Sequence, residues 1–269
     1  MKLGIGSYTY TWAIGVPHFP YKVRKFTALD LVKKAAELGV QVVQICDNLP
    51  LHLLNVDEIQ ELKSTAQDLG ISIEVGTRGV ETEHLRRYLK IAEYLDSDLL
   101  RVILQKEEGK LGIDEAYSSI SRIKPDLERS KIRLAIENHE RHNTKELKSL
   151  INCLNSEYVG ICIDTVNSFG AIETPEQVLK ELAPFMINLH YKDFVIKRLN
   201  HSMGFEIIGC PAGQGMLDGN KLKKYLTENG KELNVILELW TPFTETVEKT
   251  ILKEDQWAKV SIEFLKQWV

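Results

Sequence analysis

Short apolar runs alternate along the chain with longer segments in which apolar residues recur every three or four positions. The short runs predict buried strands, and the longer segments predict amphipathic helices that pack on one face of a sheet. Eight strands are predicted, at Leu3–Gly6, Val40–Ile45, Ile71–Val75, Leu99–Leu104, Ile132–Glu137, Val159–Asp164, Met186–His190 and Val235–Leu239.

A helix is predicted after each strand. The helices run from Thr27 to Leu38 and over Asp57–Leu69, Thr82–Tyr94, Asp114–Arg129, Thr144–Leu154, Thr174–Leu182, Lys221–Glu228 and Thr250–Trp268. Thr27 and Thr174 have the spacing of N-terminal caps, and the glycines that stop helices are Gly39, Gly70 and Gly230. Two segments, Ser7–Phe26 and Tyr191–Gly219, are predicted as long loops.

Strict alternation of strands and helices predicts an α/β fold with parallel strands. At 269 residues, a closed (β/α)₈ TIM barrel is the simplest arrangement, and we expect one domain over residues 1–269. The alternative is an open, doubly wound sheet. Such sheets often carry a glycine-rich dinucleotide fingerprint after the first strand, and Ile5-Gly6-Ser7-Tyr8 lacks its spacing.

Charge and composition narrow the range of partners. With 34 basic and 38 acidic residues, the net charge is −4 and no basic block stands out, which argues against a nucleic-acid partner. No apolar run approaches the roughly 20 residues of a membrane span, and the N-terminus lacks the apolar core of a signal peptide. The four cysteines are scattered without a close pair, which suits a reducing, cytoplasmic location.

Four predicted strands have an ionisable residue at or next to their C-terminal end, namely Glu137, Asp164, His190 and Glu238. Side chains alternate between the barrel interior and the helix layer along a strand. On each of these strands the branched apolar residues share one face, and the ionisable residue lies on the other. We therefore expect all four to point inward at the end of the barrel where active sites lie.

Three carboxylates and a histidine inside a barrel mouth need a counter-charge, because desolvated like charges repel or take up protons. A divalent cation would supply that charge. Oxygen-rich ligands with one imidazole suit Mn²⁺ above all, with Mg²⁺, Co²⁺ or Zn²⁺ as alternatives. The inward residues one layer below, Ala135, Cys162 and Asn188, are small or modest and leave room beneath the site.

The ordered motifs resemble those of the xylose-isomerase-like barrel superfamily, in its sugar (phosphate) isomerase/epimerase branch. The matching segments are Ile136-Glu137-Asn138-His139, Ile163-Asp164-Thr165-Val166-Asn167, His190-Tyr191-Lys192-Asp193, Leu237-Glu238 and the Gly-x-Gly-x-x-Asp pattern of Gly213–Asp218. That branch includes ketose 3-epimerases, hydroxypyruvate isomerase and inosose dehydratase. The resemblance covers essentially the whole chain and is specific for the superfamily rather than for a substrate.

The resemblance implies that Glu137, Asp164, His190 and Glu238 bind one divalent metal ion, and that Glu137 and Glu238 also act as catalytic acid and base. The implied enzyme isomerises or epimerises a small carbohydrate (a sugar, sugar phosphate or sugar acid) through a metal-stabilised cis-enediolate. The ketose 3-epimerases carry Asp-x-x-His on the sixth strand, whereas this chain has Asn167 in the histidine position. An amide cannot relay a proton, which leaves isomerase or dehydratase chemistry open.

The alternatives are a metal-dependent dehydratase of an inosose-like polyol ketone and a non-catalytic sugar-binding barrel. An endonuclease on this fold would need more histidines and a basic groove. No membrane partner is expected, and a homo-oligomer is left open.

Further residues are candidates for binding the substrate. They are His139, Asn167, Lys192, Arg198 and Trp12, each with an ordinary structural role as the alternative. For Lys192 that alternative is an ion pair with Asp193 at the rim of the barrel. Gly213-Gln214-Gly215 is either a phosphate cradle or a plain turn.

Overall fold

The computed structural model describes residues 1–106, 109–228 and 233–268. Eight parallel strands form a closed barrel: β1 (Leu3–Gly6), β2 (Val42–Ile45), β3 (Ser72–Arg78), β4 (Leu99–Ile103), β5 (Arg133–Glu137), β6 (Val159–Asp164), β7 (Met186–Tyr191) and β10 (Asn234–Leu237). They follow one another around the barrel in chain order, and β10 closes it by pairing with both β7 and β1. The predicted (β/α)₈ barrel is confirmed.

Helices lie between successive strands. After a short α1 (Thr11–Ile14) come α2 (Ala28–Leu38), α3 (Val56–Asp68), α4 (Thr82–Tyr94), α5 (Ile113–Ser130), α6 (Thr144–Leu154), α7 (Pro175–Leu182), α8 (Gly219–Glu228) and α9 (Val247–Leu265). Thr27 and Thr174 cap α2 and α7 through reciprocal capping boxes, as predicted. Gly39 ends α2 in the left-handed region, at φ +69°. The predicted stop at Gly230 lies outside the described residues.

The apolar core lies between the barrel and the surrounding helices, because branched strand residues point outward and meet the apolar stripes of the helices. The barrel interior is different, since it holds several fully buried polar side chains. Gln44 on β2, Glu74 on β3, Arg101 on β4 and Asn188 on β7 are each at most 1 % exposed. Buried polar groups need hydrogen-bond partners, and these residues find them in one another and in the site above them.

The prediction of a structureless loop over Tyr191–Gly219 was wrong. The chain forms an antiparallel hairpin there, with β8 (Asp193–Arg198) paired to β9 (Phe205–Cys210). Consecutive apolar residues such as Val195 and Ile196 obscure the alternation that marks a half-buried strand. The predicted loop over Ser7–Phe26 likewise contains α1, preceded by a 3₁₀ turn.

Lys192 and Asp193 were expected at the rim, and both are buried, at 5 % and 3 % exposure. The segment that follows β9 encloses Asp193, whose carboxylate accepts N–H groups from it, and Lys192 lies against Asp164, Glu238 and the Trp240 ring. Among the described residues, no helix is both long and apolar enough to cross a bilayer.

Candidate active site

The structure brings Glu137, Asp164, His190 and Glu238 together at the C-terminal end of the barrel. Each is at most 1 % exposed. His190 Nδ1 lies 3.3 Å from a Glu137 oxygen, 3.5 Å from a Glu238 oxygen and 3.8 Å from an Asp164 oxygen. β5, β6 and β7 end in or near these residues, and Glu238 directly follows β10, so the geometry follows from the parallel register of adjacent strands.

Asn138 fixes the orientation of Asp164. Its amide nitrogen donates to the Asp164 carbonyl oxygen at 2.9 Å, and its amide oxygen accepts from the Asp164 N–H at 2.7 Å. The Asp164 carboxylate oxygen Oδ1 accepts the N–H groups of Val166 and Asn167, both at 2.9 Å. One oxygen is thereby held by the backbone, and the other, Oδ2, is left to face the cluster.

Two buried cations lie against the three carboxylates. Lys192 Nζ lies 2.7 Å from Asp164 Oδ2 and 2.8 Å from Glu238 Oε2, and Arg101 Nε donates to Glu137 Oε2. The expectation that the carboxylates need a metal ion for charge compensation is therefore too strong, because the protein supplies counter-charge of its own. The proposed ion pair between Lys192 and Asp193 is not formed.

These charges shift the ionisation of the site. Burial disfavours the charged form of Glu137, but Arg101 and His190 outweigh it, and the pKa of Glu137 lies below its usual value. Burial likewise works against the Lys192 ammonium, but Asp164 and Glu238 hold the pKa of Lys192 above its usual range. Burial is also outweighed at Asp164, where Lys192 and His190 lower the carboxyl pKa. Glu137, Asp164 and Lys192 are thus charged at neutral pH.

The donor atoms fit a divalent cation. Asp164, His190 and Glu238 each present a ligand atom, and these three atoms lie within 4.8 Å of one another. Among the residues that the structure describes, His190 Nδ1 and Glu238 Oε1 are buried without a hydrogen-bond partner, whereas Asp164 Oδ2 and Glu238 Oε2 are paired with the Lys192 ammonium. Unpaired buried acceptors are costly, and two carboxylates with one imidazole are ligands suited to Mn²⁺ or Mg²⁺.

Cys162 is a poorer ligand than its position suggests. Its sulfur belongs to a second close group with Glu137 and His190. Burial raises the pKa of the Cys162 thiol well above its ordinary value, and Glu137 raises it further. A neutral thiol is not a metal ligand. Glu137 itself is engaged by Arg101 at Oε2 and by the Asn167 amide at Oε1, 2.7 Å away.

Towards the mouth, a second group of charges surrounds Asp47. Its carboxylate accepts from Arg101 Nη1 at 3.0 Å, from Arg78 Nε at 2.9 Å and from the Tyr8 hydroxyl at 3.0 Å. Arg101 therefore bridges Glu137 and Asp47. Arg78, 36 % exposed in its side chain, carries positive charge towards the opening.

The other predicted binding residues are placed differently. Asn167 and Lys192 lie in the cluster, whereas the only described ion-pair partner of His139 is the exposed Glu140, at 2.9 Å. Arg198 stacks on the Phe205 ring in the hairpin and donates to the Ser202 carbonyl. None of the described contacts joins His139 or Arg198 to the cluster.

Trp12 is 8 % exposed and belongs to an aromatic group with Phe19 and Phe243 near the mouth. Its indole N–H donates to the Thr241 carbonyl at 2.7 Å. The Gly213-Gln214-Gly215 turn wraps around the Asp193 carboxylate, whose Oδ2 accepts the N–H groups of both glycines. That turn binds a carboxylate of the protein itself, where a phosphate cradle was one expectation.

Sequence reasoning missed Arg101, Asp47 and Arg78, together with Gln44 and Glu74 beneath the site. Three of them could have been found, because Gln44, Glu74 and Arg101 are polar residues inside predicted strands that are mostly apolar. A charged residue is almost never buried unless it is paired. Each could therefore have been assigned to the barrel interior.

The fold is a parallel (β/α)₈ barrel. The site is a buried cluster of acidic and basic side chains at the C-terminal end of the strands, where barrel enzymes have their active sites. The sequence profile of the xylose isomerase-like TIM barrel matches residues 32–268. The chain belongs to this family.

Particular relatives agree with that assignment. The chain is 33 % identical over 267 residues to the 3-oxo-isoapionate decarboxylase of Pectobacterium atrosepticum, covering 98 % of this chain and 95 % of that one. The D-psicose 3-epimerase of Clostridium cellulolyticum H10, solved with D-tagatose, superposes with a TM-score of 0.75 at 16 % identity over 99 % of both chains. A xylose isomerase-like barrel protein of Mycobacterium smegmatis, solved with magnesium, has a TM-score of 0.66 at 14 % identity, over 98 % of this chain and 97 % of that one.

Proposed function

We propose that this chain is a decarboxylase whose substrate is a sugar acid with a 3-oxo group, and that it removes CO₂ from this acid with the help of a divalent metal ion. The observation that carries the proposal is the unequal state of the two glutamates. Glu137 is engaged at both oxygens by Arg101 and Asn167, whereas Glu238 has an oxygen, Oε1, without any partner among the described residues. A single glutamate with an unengaged oxygen suits a reaction that needs a single proton transfer.

Decarboxylation of a 3-oxo acid has that requirement. The bond between the carboxyl carbon and C2 breaks, CO₂ leaves, and the electron pair moves through C2 onto the oxygen at C3. C2 then takes one proton. No base is needed to start the reaction, which agrees with an amide at Asn167 in place of a proton-relaying histidine. The 33 % identity to a decarboxylase of a 3-oxo acid supports the same class.

Asp164, His190 and Glu238 would hold the metal ion, and Glu137 faces the same space. When bound, the ion would act as a Lewis acid that stabilises negative charge on the C3 oxygen. The Lys192 ammonium and the Arg101 guanidinium add fixed positive charge from the protein in a buried setting, where it acts strongly. The Lys192 ammonium, 2.8 Å from Glu238 Oε2, carries a proton, and Glu238 is the candidate to pass that proton to C2.

The isomerase or epimerase implied by the sequence resemblance is the second candidate. It is supported by the approach of both Glu137 and Glu238 to the same nitrogen of His190, at 3.3 Å and 3.5 Å from Nδ1. Two-sided proton transfer requires both carboxylates to give and take a proton. The contact with Arg101 and the lowered pKa of Glu137 disfavour that role.

One assay in D₂O separates the two. The protein, loaded with Mn²⁺ or Mg²⁺, is given 3-oxo aldonic acids generated in situ, and separately ketoses and ketose phosphates. We expect CO₂ release from an acid with one deuterium incorporated into the product. Glu238→Gln should lower kcat by about 100-fold or more, the usual contribution of general acid catalysis, and Glu245→Gln, an exposed control, should not.

Deuterium exchange into a ketose without CO₂ release would instead establish the isomerase or epimerase. Full turnover by Glu238→Gln would remove Glu238 from the mechanism under either proposal.

A further inference from the structure

A closed network of polar side chains fills the barrel directly beneath His190. It consists of Gln44 on β2, Glu74 on β3, Asn188 on β7 and Asn234 at the start of β10. Glu74 is 1 % exposed, and Gln44 and Asn188 are fully buried. A buried carboxylate without a cationic partner is expensive, so the network invites a functional explanation.

Glu74 accepts three hydrogen bonds from amide groups. Its Oε2 accepts from Gln44 Nε2 at 2.9 Å and from Asn188 Nδ2 at 3.0 Å, and its Oε1 accepts from Asn234 Nδ2 at 2.6 Å. Burial raises the pKa of Glu74, and these amide donors oppose the shift. The pKa of Glu74 stays above its ordinary value, and in all three contacts a carboxyl oxygen of Glu74 is the acceptor.

The donors and acceptors leave one consistent arrangement. Glu74 Oε2 accepts the bond from Gln44 Nε2, so Gln44 turns its NH₂ towards Glu74. The Gln44 carbonyl oxygen then faces the other way, where it lies 2.6 Å from His190 Nε2. Two acceptors cannot bond, so Nε2 must carry a proton. In the neutral imidazole, Nδ1 is then the nitrogen with the lone pair, and Nδ1 is the atom that faces the three carboxylates.

The surroundings of Nδ1 favour the opposite tautomer. With three carboxylate oxygens within 3.8 Å of it, a proton on Nδ1 would be stabilised electrostatically. A protonated Nδ1 cannot bind a metal ion. Something must therefore hold the proton on Nε2, and the Gln44 carbonyl is the described group in position to do so.

We propose that Glu74 is a positioning residue for the metal site, which acts through Gln44 to keep His190 in the tautomer whose Nδ1 can bind a metal ion. The inference rests on the metal site of the proposed function. It adds that a carboxylate outside the ligand set controls which nitrogen of the neutral histidine ligand carries the proton. Hydrogen-bond partners of ligand histidines commonly have this role.

Two substitutions at Glu74 separate the acceptor from its charge. Glu74→Met keeps the approximate size and removes both carboxyl oxygens. Gln44 Nε2 then keeps only Asn188 Oδ1, at 3.1 Å, and Asn188 loses the acceptor that orients its own amide, so both amides can turn. Glu74→Gln keeps an acceptor for Gln44 and Asn188 and places its NH₂ towards Asn234. Asn234 has no other side-chain hydrogen bond among the described contacts, so its amide can turn to accept. Glu74→Gln is therefore the matched conservative variant.

The experiment reads the tautomer directly. Long-range ¹H–¹⁵N spectra of the imidazoles are recorded on metal-free protein at a pH where His190 is neutral, and His190→Asn identifies its signals. Mn²⁺ affinity is measured by calorimetry. We expect the Nε2–H form in the wild type and in Glu74→Gln. In Glu74→Met we expect the Nδ1–H form to appear and the Mn²⁺ dissociation constant to rise by about 10-fold or more.

The proposal is overturned if Glu74→Met keeps the Nε2–H form, or if Glu74→Gln loses it. Should Glu74→Met fail to fold, Gln44→Met tests the same step, because it removes the carbonyl that accepts from Nε2–H. Failure of the wild type to bind any divalent ion would defeat the proposed function, whereas the tautomer spectra would still decide the role of Glu74.

Discussion

At the scale of single residues, Gly6 shows how closely the barrel interior is fitted to the site. It is the last residue of β1 and pairs with Gln44 on β2. A Cβ atom at Gly6 would lie 2.8 Å from Glu238 Oε1 and 3.0 Å from Glu238 Cγ. The Glu238 carboxylate thus occupies the space that a side chain at position 6 would fill.

We expect Gly6→Ala to displace Glu238 and to lower both Mn²⁺ affinity and kcat by about 10-fold or more, because a displacement near 1 Å is costly in catalysis. The matched control is Gly112→Ala, where a new Cβ finds its nearest neighbour at 3.9 Å. Calorimetry and turnover of both variants check this. Unchanged Mn²⁺ binding by folded Gly6→Ala would show that Glu238 is not held where we place it.

At the scale of elements, a buried carboxylate on α9 anchors the segment after β1. Glu254 accepts the N–H groups of Trp12 and Ala13 at 3.0 Å each. Burial raises the pKa of Glu254 from 4.5 to about 8, against the effect of these two donors. α1, and with it the aromatic group at the mouth, is thus attached to the far end of the chain through one ionisable contact.

The sign of the resulting pH dependence follows from linkage. A raised folded pKa means that the folded state binds the proton more tightly than the unfolded chain, so the stabilisation is present at low pH and is lost as pH rises from 4.5 to about 8. Over this window, the wild-type unfolding free energy should fall more steeply with pH than that of Glu254→Gln, by up to about 1.4 kcal/mol per pH unit. Urea denaturation at a series of pH values measures both slopes, and parallel slopes would contradict the assignment.

The hairpin after β7 is likewise organised by one carboxylate. Asp193 begins β8, and its oxygens accept the N–H groups of Gly213, Gly215 and Leu217 beyond β9. A Cβ at Gly215 would lie 2.1 Å from Asp193 Oδ1. Glycine therefore allows the turn to close around Asp193, and the closed turn covers the strand end that carries His190 and Lys192.

At the scale of the whole molecule, the site joins strands that are distant in the sequence. Glu137 and Asp164 end β5 and β6, and Glu238 follows β10. Lys192, which follows β7, connects Asp164 and Glu238. Charge balance at the site therefore contributes to the stability of the closed barrel. A divalent ion and the Lys192 ammonium would compensate the same oxygens.

Replacing Lys192 by methionine tests whether the ammonium and a divalent ion compensate the same carboxylate oxygens. Removing one partner of a buried ion pair costs about 3–5 kcal/mol, so the melting temperature of Lys192→Met in EDTA should fall well below that of the wild type. Added Mn²⁺ should then raise it by more than it raises the wild type, because the ion meets uncompensated carboxylates. Thermal denaturation with EDTA and with Mn²⁺ checks both effects.

Lys249→Met is the control for that comparison, because Lys249 pairs with Glu245 on the surface and should change little. Equal Mn²⁺ shifts in Lys192→Met and the wild type would show that the ammonium and the ion act on different groups.

The barrel itself was determined by the sequence. Alternation of apolar runs and helical stripes gave the strand order, and period-two alternation placed Glu137, Asp164, His190 and Glu238 on inward faces. Caps such as Thr27 and Thr174 fixed helix starts, because capping depends only on neighbouring residues. These are local properties of the sequence. Because the parallel strands follow one another around the barrel in chain order, they are enough to place the four residues at the same end of the barrel.

Tertiary structure alone decided what surrounds the four residues. Arg101 contacts Glu137, and Lys192 turns to Asp164 and Glu238 instead of to its neighbour Asp193. The residues of each ion pair are far apart in the sequence. Which of several opposite charges a side chain contacts depends on distances in the folded barrel, and the spacing of residues along the chain does not give those distances. For the same reason, the link from Glu74 through Gln44 to His190 appears only when β2, β3 and β7 face one another across the barrel.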